Sequence, residues 1–182
     1  MQIPLAQQQP TYDPAAVQPM RDELTSAGFE ELLTPEDVDR VMGSQDDETV
    51  IVMVNSVCGC AAGSARPGVT LALQHGTIPD RLATVFAGQD KAALSHLRQE
   101  YLGDFLPSSP FVAVTKNSKV LFVLDRQDIE GRNPEEIASR LTGAFDQECS
   151  KQGPSITPEA YAELVHAIAC GSSIPRFGDN TN

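Results

Sequence analysis

The sequence predicts an α/β fold in which a mixed sheet of about four strands is flanked by helices on both faces, with an extra helix at the C-terminus. Three observations predict it. An unbroken apolar run, Val50 to Val54, has the length and β-branched content of a strand buried on both faces. Helix-like and strand-like segments alternate after it, the pattern of crossover connections between parallel strands. Phe111 to Thr115 and Val120 to Leu124 then flank Lys116-Asn117-Ser118-Lys119, a hairpin-length turn that makes them antiparallel.

Residues 1–14 hold three prolines and four glutamines with little apolar content and read as a flexible arm. Val17, Met20, Leu24 and Ala27 are spaced three and four apart, an amphipathic helix stopped by Gly28. Phe29, Leu32 and Leu33 then turn inward. Thr34-Pro35-Glu36-Asp37 supplies a cap, a proline at the first helical position and an acid at the third, so a short helix runs to Met42. Gly43 to Glu48 is an acidic turn feeding the central strand. Ala61 to Gln74 reads as a helix bent near Pro67 and Gly68, Gly76 to Asp80 as a loop, and Leu82 to Phe86 as a second strand. Asp90 caps a helix from Lys91 to Tyr101 whose Ala93, Leu94, Leu97 and Tyr101 share a face. Gly103 to Pro110 is a loop, and Asn133-Pro134-Glu135-Glu136 starts a helix running towards Cys149. Ile156 to Ala169 reads as a last helix, capped by Thr157-Pro158, striped by Tyr161, Leu164, Val165 and Ile168, and stopped by Gly171. The stripe needs a partner: the domain's own helices, or a second copy of the chain. One domain over 15–149 with an extension over 150–182 follows, and its order of strands and helices is the thioredoxin-like layout.

A formal charge of −12, with acids concentrated between Glu23 and Glu48, repels phosphate backbones and anionic lipid, so neither nucleic acid nor a membrane surface is an expected partner. No apolar stretch approaches the roughly 20 residues that cross a bilayer. The N-terminus lacks the basic start and apolar block of a signal peptide, which points to a reducing cytoplasm. Four cysteines in 182 residues are far too few for a disulfide scaffold.

Cys58-Gly59-Cys60 sits where the central strand ends, after Asn55-Ser56, and where a helix begins. A thiolate is the species that attacks disulfides, and amide N–H groups at a helix N-terminus stabilise it against an ordinary thiol pKa of about 8.5. Cys58 is therefore the candidate nucleophile and Cys60 the resolving thiol. Closing a disulfide across one residue is awkward, and Gly59 relieves this by reaching backbone angles closed to other residues. The remaining strain makes a Cys58–Cys60 disulfide easily reduced. Two small packed hydrophobes, or half of a metal site in a thioredoxin-like scaffold or iron carrier, are the competing readings. His75, His96 and His166 lie far from the pair along the chain, each on its own helix or helix end, and read as surface or capping residues. Cys149 reads as a packed terminal-helix thiol; Cys170, in the extension, becomes an internal redox partner only if it approaches Cys58.

Pro19-Met20-Arg21-Asp22-Glu23-Leu24-Thr25, Ala27-Gly28-Phe29-Glu30-Glu31-Leu32, Val54-Asn55-Ser56-Val57-Cys58-Gly59-Cys60-Ala61-Ala62-Gly63, Ala65-Arg66-Pro67, Val85-Phe86-Ala87-Gly88-Gln89-Asp90, Pro107-Ser108-Ser109-Pro110 and Asp128-Ile129-Glu130-Gly131 together resemble the bacilliredoxins, over about Tyr12 to Cys149. The resemblance implies a thioredoxin-like fold and thiol-disulfide exchange, usually removal of bacillithiol from S-bacillithiolated cytosolic client proteins. Disulfide-isomerase-like activity is also attributed to the family. The family's two active cysteines fall on Cys58 and Cys60. No tightly bound cofactor is implied; bacillithiol or another small thiol is the co-substrate. The chain departs from the family's Arg-His pair, having Gln127 after Arg126, in the bulkier Phe111 after Pro110, and in its extension from Ser150.

Thioredoxin-like folds set a cis-proline loop opposite the cysteines. Pro110 is the candidate: its residues alone leave cis and trans equally open, the resemblance favours cis, and the Ser109 backbone would then pair with a substrate chain. Bacillithiol carries a malate, whose anionic end needs positive potential. The helix N-terminus and Arg66 are the nearest sources, although Arg66 reads equally as a solvated helix residue or as the partner of an acid in the N-terminal region.

Overall fold

The computed structural model describes residues 9–179. In chain order its elements are α1 (Pro14–Ser26), β1 (Glu30–Glu31), α2 (Pro35–Met42), β2 (Thr49–Asn55), a π-wound turn (Ala61–Ala65) leading into α3 (Arg66–Ala72), β3 (Thr77–Ile78) and β4 (Arg81–Phe86). They continue with α4 (Lys91–Glu100), β5 (Phe111–Lys116), β6 (Lys119–Leu124), α5 (Arg126–Ile129), α6 (Pro134–Glu148), β7 (Lys151–Gln152) and α7 (Pro158–Ala162).

β2 is the axis of the molecule. All seven of its residues are buried, and their side chains alternate between two cores as strand geometry requires. Ile51 and Met53 meet Leu24 of α1, Val69 and Ala72 of α3, and Ile137 and Leu141 of α6. Val50, Val52 and Val54 face Val38 and Val41 of α2 and Leu94 and Leu97 of α4. Each such side chain removed from water contributes about 1.5–3 kcal/mol.

The main sheet runs β1-β4-β2-β5-β6. β2 is parallel to β4 and antiparallel to β5, and β5 and β6 form the expected hairpin. This is the thioredoxin-like layout. It has five strands rather than about four, because Glu30 and Glu31 pair with Ala83 and Thr84 at the edge. The loop expected over 76–80 contains β3, which pairs with β7 in a separate two-stranded ribbon.

Local chemistry sets the helix ends. Thr34 and Asn133 close capping boxes with Asp37 and Glu136. Asp90 stands at the start of α4 without capping it, since its carboxylate is drawn to Arg21 (2.7 Å) and to the N–H of Phe86 (2.8 Å). Residues 59–72 are continuously helical, and the π turn comes immediately before Pro67. Proline cannot donate to the carbonyl four residues back and its ring crowds it, so the wider winding falls there. α3 then crosses α6 at very close range: a Cβ on Gly68 would lie 2.6 Å from the Cβ of Ile137.

The ends of the chain differ most from expectation. Residues 1–8 of the expected flexible arm lie outside the described residues, but its far end is tied down. Thr11 N–H donates to Gly88 O (2.7 Å), Tyr12 pairs with Arg176, and Asp13 caps α1. Leu33, expected to turn inward, is exposed. The C-terminal helix expected over 156–169 is only α7, five residues long; the chain then leaves helical geometry. Leu164 packs on the core, whereas Val165 and Ile168 are exposed, so the expected four-residue stripe does not form one face.

Candidate active site

β2 delivers its last residue, Asn55, to a buried position where it organises the exit of the chain. Its amide donates to Met20 O (3.1 Å), and its side-chain oxygen accepts from Ser56 N–H (2.9 Å) and Arg66 Nη1 (3.1 Å). The turn that follows brings Ser56, Cys58 and Cys60 together. Ser56 Oγ accepts from the N–H of Cys58 (3.3 Å) and donates to its sulfur (3.1 Å), the local backbone capture that serine favours at turns. Ala61 N–H, in the first turn of the helix, points at the same sulfur from 3.2 Å. Cys60 Sγ lies 2.7 Å from Cys58 Sγ, and the four cysteines are all thiols.

These contacts divide the two thiols. Burial acts to raise the pKa of Cys58. The hydrogen bonds from Cys60, Ser56 and Ala61, with the positive charge of Arg126, outweigh it and hold the thiol below its ordinary value. Cys60 goes the other way. Burial, its hydrogen bond to Cys58 and the negative charge that Cys58 carries push it up to about 11, against a smaller pull from Arg126. Cys149 is raised by burial and by the carboxylates of Asp80 and Glu148, with a hydrogen bond from Thr49 opposing.

Beside Cys58 opens a groove of about 350 Å³, lined among others by Thr11, Tyr12, Ser56, Ser109 and Arg126. The Ser109–Pro110 peptide bond is cis, as the resemblance favours, and Ser109 and Cys58 line the same groove. Gly59 is exposed between the two thiols. It is helical and is not among the positive-φ glycines, so the backbone freedom expected of it is not used here.

Arg66 is not at the site. It is completely buried, with Nε 2.8 Å from Glu23 Oε2, Nη1 3.0 Å from Ser56 O and Nη2 2.8 Å from Ala167 O. A guanidinium enclosed by a carboxylate and carbonyls has no face for a substrate, so the substrate-binding expectation is corrected and the pairing with an N-terminal acid holds. The cation that reaches the thiols is Arg126, about half-exposed, with its Nε 3.7 Å from Glu130. Sequence reasoning noted it only as the neighbour of Gln127. Ser56 was also passed over, although a serine two places before a cysteine at a strand end carries the signal of a side-chain turn. The three histidines pair with carboxylates: His75 with Asp146, His96 with Asp39 and His166 with Glu23. Among the described residues, no group of three or more His, Cys, Asp and Glu side chains is arranged to hold a metal ion. None of the described helices is long and apolar enough to cross a membrane.

The family described as disulphide isomerase matches residues 12–149. A bacilliredoxin of Salinibacter ruber is 47% identical over 143 residues, covering 79% of this chain and 83% of its own. A bacilliredoxin of Halalkalibacterium halodurans is 49% identical over 133 residues, covering 73% and 91%. The chain belongs to the bacilliredoxin family. A Staphylococcus aureus bacilliredoxin, 44% identical over 141 residues and covered to 95% of its length, is a further relative. Among solved structures, a thioredoxin of Malassezia sympodialis is similar at 16% identity and a TM-score of 0.45, covering 67% of this chain and 91% of that one. The match to the disulphide isomerase family contains Cys58, Cys60, Arg66, Ser109, Pro110 and Arg126, and ends before the segment that carries Cys170.

Proposed function

We propose that this bacilliredoxin is a cytosolic thiol-disulfide oxidoreductase that removes bacillithiol, or a similar low-molecular-weight thiol, from S-thiolated client proteins. The observation that carries the reading is the division of the two thiols: Cys58, held below the ordinary thiol range by Ser56, Cys60 and the N–H of Ala61, stands at the mouth of an open groove beside a Cys60 held protonated. Family membership supports the same chemistry.

In the proposed reaction the Cys58 thiolate attacks the small-thiol sulfur of the client's mixed disulfide. The client thiolate leaves, and the small thiol remains on Cys58. Ser56 and the N–H of Ala61 hold the attacking sulfur, and Ser109 backbone beside the cis bond receives the client chain. Arg126 supplies the positive potential that an anionic small thiol needs, the role first assigned to Arg66. A second thiol, Cys60 or another small thiol, then regenerates Cys58.

The test presents the reduced protein with one S-bacillithiolated and one S-glutathionylated client and measures which is released. Faster release of the bacillithiolated client, abolished by Cys58→Ala, is expected. Release unaffected by Cys58→Ala would overturn the reading.

A further inference from the structure

The segment after α7 lies against the thiol pair, and its attachment is specific. Ala167 is buried, its N–H donating to Glu23 Oε2 (3.1 Å) and its carbonyl accepting from Arg66 Nη2 (2.8 Å). Ile174 is buried in a cluster with Val17, Met20, Val57 and Phe86. Between these anchors Gly171 N–H donates to Val57 O at 2.6 Å. Cys170 is thus held next to the cysteine turn, its sulfur 3.8 Å from the point where a Cβ on Gly59 would stand.

The Gly171–Val57 bond bounds the distance from Cys170 to Cys58. With standard peptide dimensions, a hydrogen bond of that length keeps the Cα atoms of residues 170 and 58 within about 8 Å. A disulfide spans Cα separations of roughly 4.4–6.8 Å. Cys170 is extended, half-buried and carried on a different segment from Cys58, so it escapes the geometric difficulty of closing a ring across one residue.

We propose that Cys170 is a third redox thiol of this chain, which resolves the mixed disulfide on Cys58 by forming a Cys58–Cys170 disulfide. The inference rests on the proposed attack by Cys58. After that attack Cys58 carries the small thiol as Cys58–S–S–R. Cys170 loses its proton to solvent, its sulfur attacks Cys58 Sγ, the S–S bond to the small thiol breaks, and R–S⁻ leaves and takes a proton. Two protein thiols are oxidised to one disulfide, and the client's mixed disulfide is reduced to two thiols. Cys60 is the poorer attacker, because its disulfide with Cys58 would have to close across a single residue, a geometry that leaves strain in the bond. The family match ends at residue 149, so this resolving thiol belongs to the extension.

The chromogenic aromatic disulfide 5,5′-dithiobis(2-nitrobenzoate) separates the two steps: attack by Cys58 releases one thionitrobenzoate and resolution releases the second. The full chain carrying Cys60→Ser is expected to release both from Cys58. Trypsin then yields a linked pair of peptides, one containing Cys58 and one containing Cys170, which the sequence places on separate tryptic fragments from each other and from Cys149. The Cys60→Ser, Cys170→Ser double variant is expected to stop after the first release and keep the adduct on Cys58, with the second release slowed at least tenfold. An adduct that persists on Cys58 in Cys60→Ser overturns the proposal alone. Absence of any first release at Cys58 overturns the underlying reading with it. The unaltered chain gives a check free of folding effects: on treatment with one equivalent of the reagent, the earliest disulfide is Cys58–Cys170, and an earliest disulfide of Cys58–Cys60 without it overturns the proposal.

Discussion

Replacing Arg66 with alanine separates the two roles that the sequence allows this residue. Both it and Glu23 have no exposed side-chain surface. Removing the guanidinium leaves a buried carboxylate with only the N–H of Ala167 and the ring of His166 among its hydrogen-bond partners, and it strips the partner from Ala167 O. Breaking a buried ion pair from one side costs about 3–5 kcal/mol, against a total stability of about 5–15 kcal/mol. At about 2–4 °C per kcal/mol for a chain of this size, the melting temperature falls by roughly 6–20 °C. Thermal and urea unfolding followed by circular dichroism read the loss. Limited trypsin digestion reads release of the tail as faster cutting after Lys151. The Glu23→Leu, Arg66→Met double variant, which removes both charges and keeps the volume, is expected to recover most of the stability. An Arg66→Ala protein that melts within about 2 °C of the parent and loses affinity for an anionic small thiol instead would refute the reasoning and return Arg66 to the substrate site.

Four further outcomes follow from the geometry. Cys58 is lowered, so its reactive thiolate persists to lower pH and is lost as pH falls through its pKa; the midpoint of its alkylation rate lies below that of Cys149, which is raised. Ser56→Ala removes a donor worth about 1 kcal/mol at a half-buried anion and moves the Cys58 midpoint up by roughly half to one pH unit, read by iodoacetamide labelling across pH. Arg126→Gln slows labelling of Cys58 near neutral pH by about 1.4- to fivefold in low salt, and the difference vanishes near 1 M salt because the guanidinium is half-exposed and its field is screened. Gly68→Ala forces a methyl against Ile137; overpacking of about 1–3 kcal/mol, less about 1 kcal/mol of helix propensity, leaves a net loss of up to about 2 kcal/mol, seen as a lower urea midpoint at unchanged slope.

The central strand, the hairpin, the capping boxes and the placement of the two thiols were legible because local pattern alone decides them. Val50 to Val54 cannot be solvated, and Thr34 and Asn133 cap through residues three places away. What was illegible depends on partners distant in the chain. Glu30-Glu31 carries no strand signal, and it pairs because the edge of β4 is there to receive it. Asp90 looks like a cap until Arg21, 69 positions earlier, takes its carboxylate. Arg126 comes to Cys58 through the turn after β6, for which local spacing gives no warning.

The missed end of the last helix shows how such a partner overrides local preference. Residues 160–169, Ala-Tyr-Ala-Glu-Leu-Val-His-Ala-Ile-Ala, are rich in the helix formers Ala, Leu and Glu, and the propensities of all ten differ by tenths of a kcal/mol each. The buried Glu23–Arg66 pair still has a second lone pair on Glu23 Oε2 and an N–H on Arg66 Nη2 to satisfy, His166 Nδ1 pairing with Glu23 Oε1. The backbone of Ala167 meets both, through bonds to charged groups worth about 1.5–3 kcal/mol apiece. A helix continuing through Ala167 would commit that N–H and carbonyl to its own ladder and leave the buried charges short of partners. The pair therefore wins, the chain extends, and the extended path carries Cys170 to Val57. An arginine that the sequence offers as a substrate ligand instead acts at one remove, fixing which third sulfur stands beside Cys58 and Cys60.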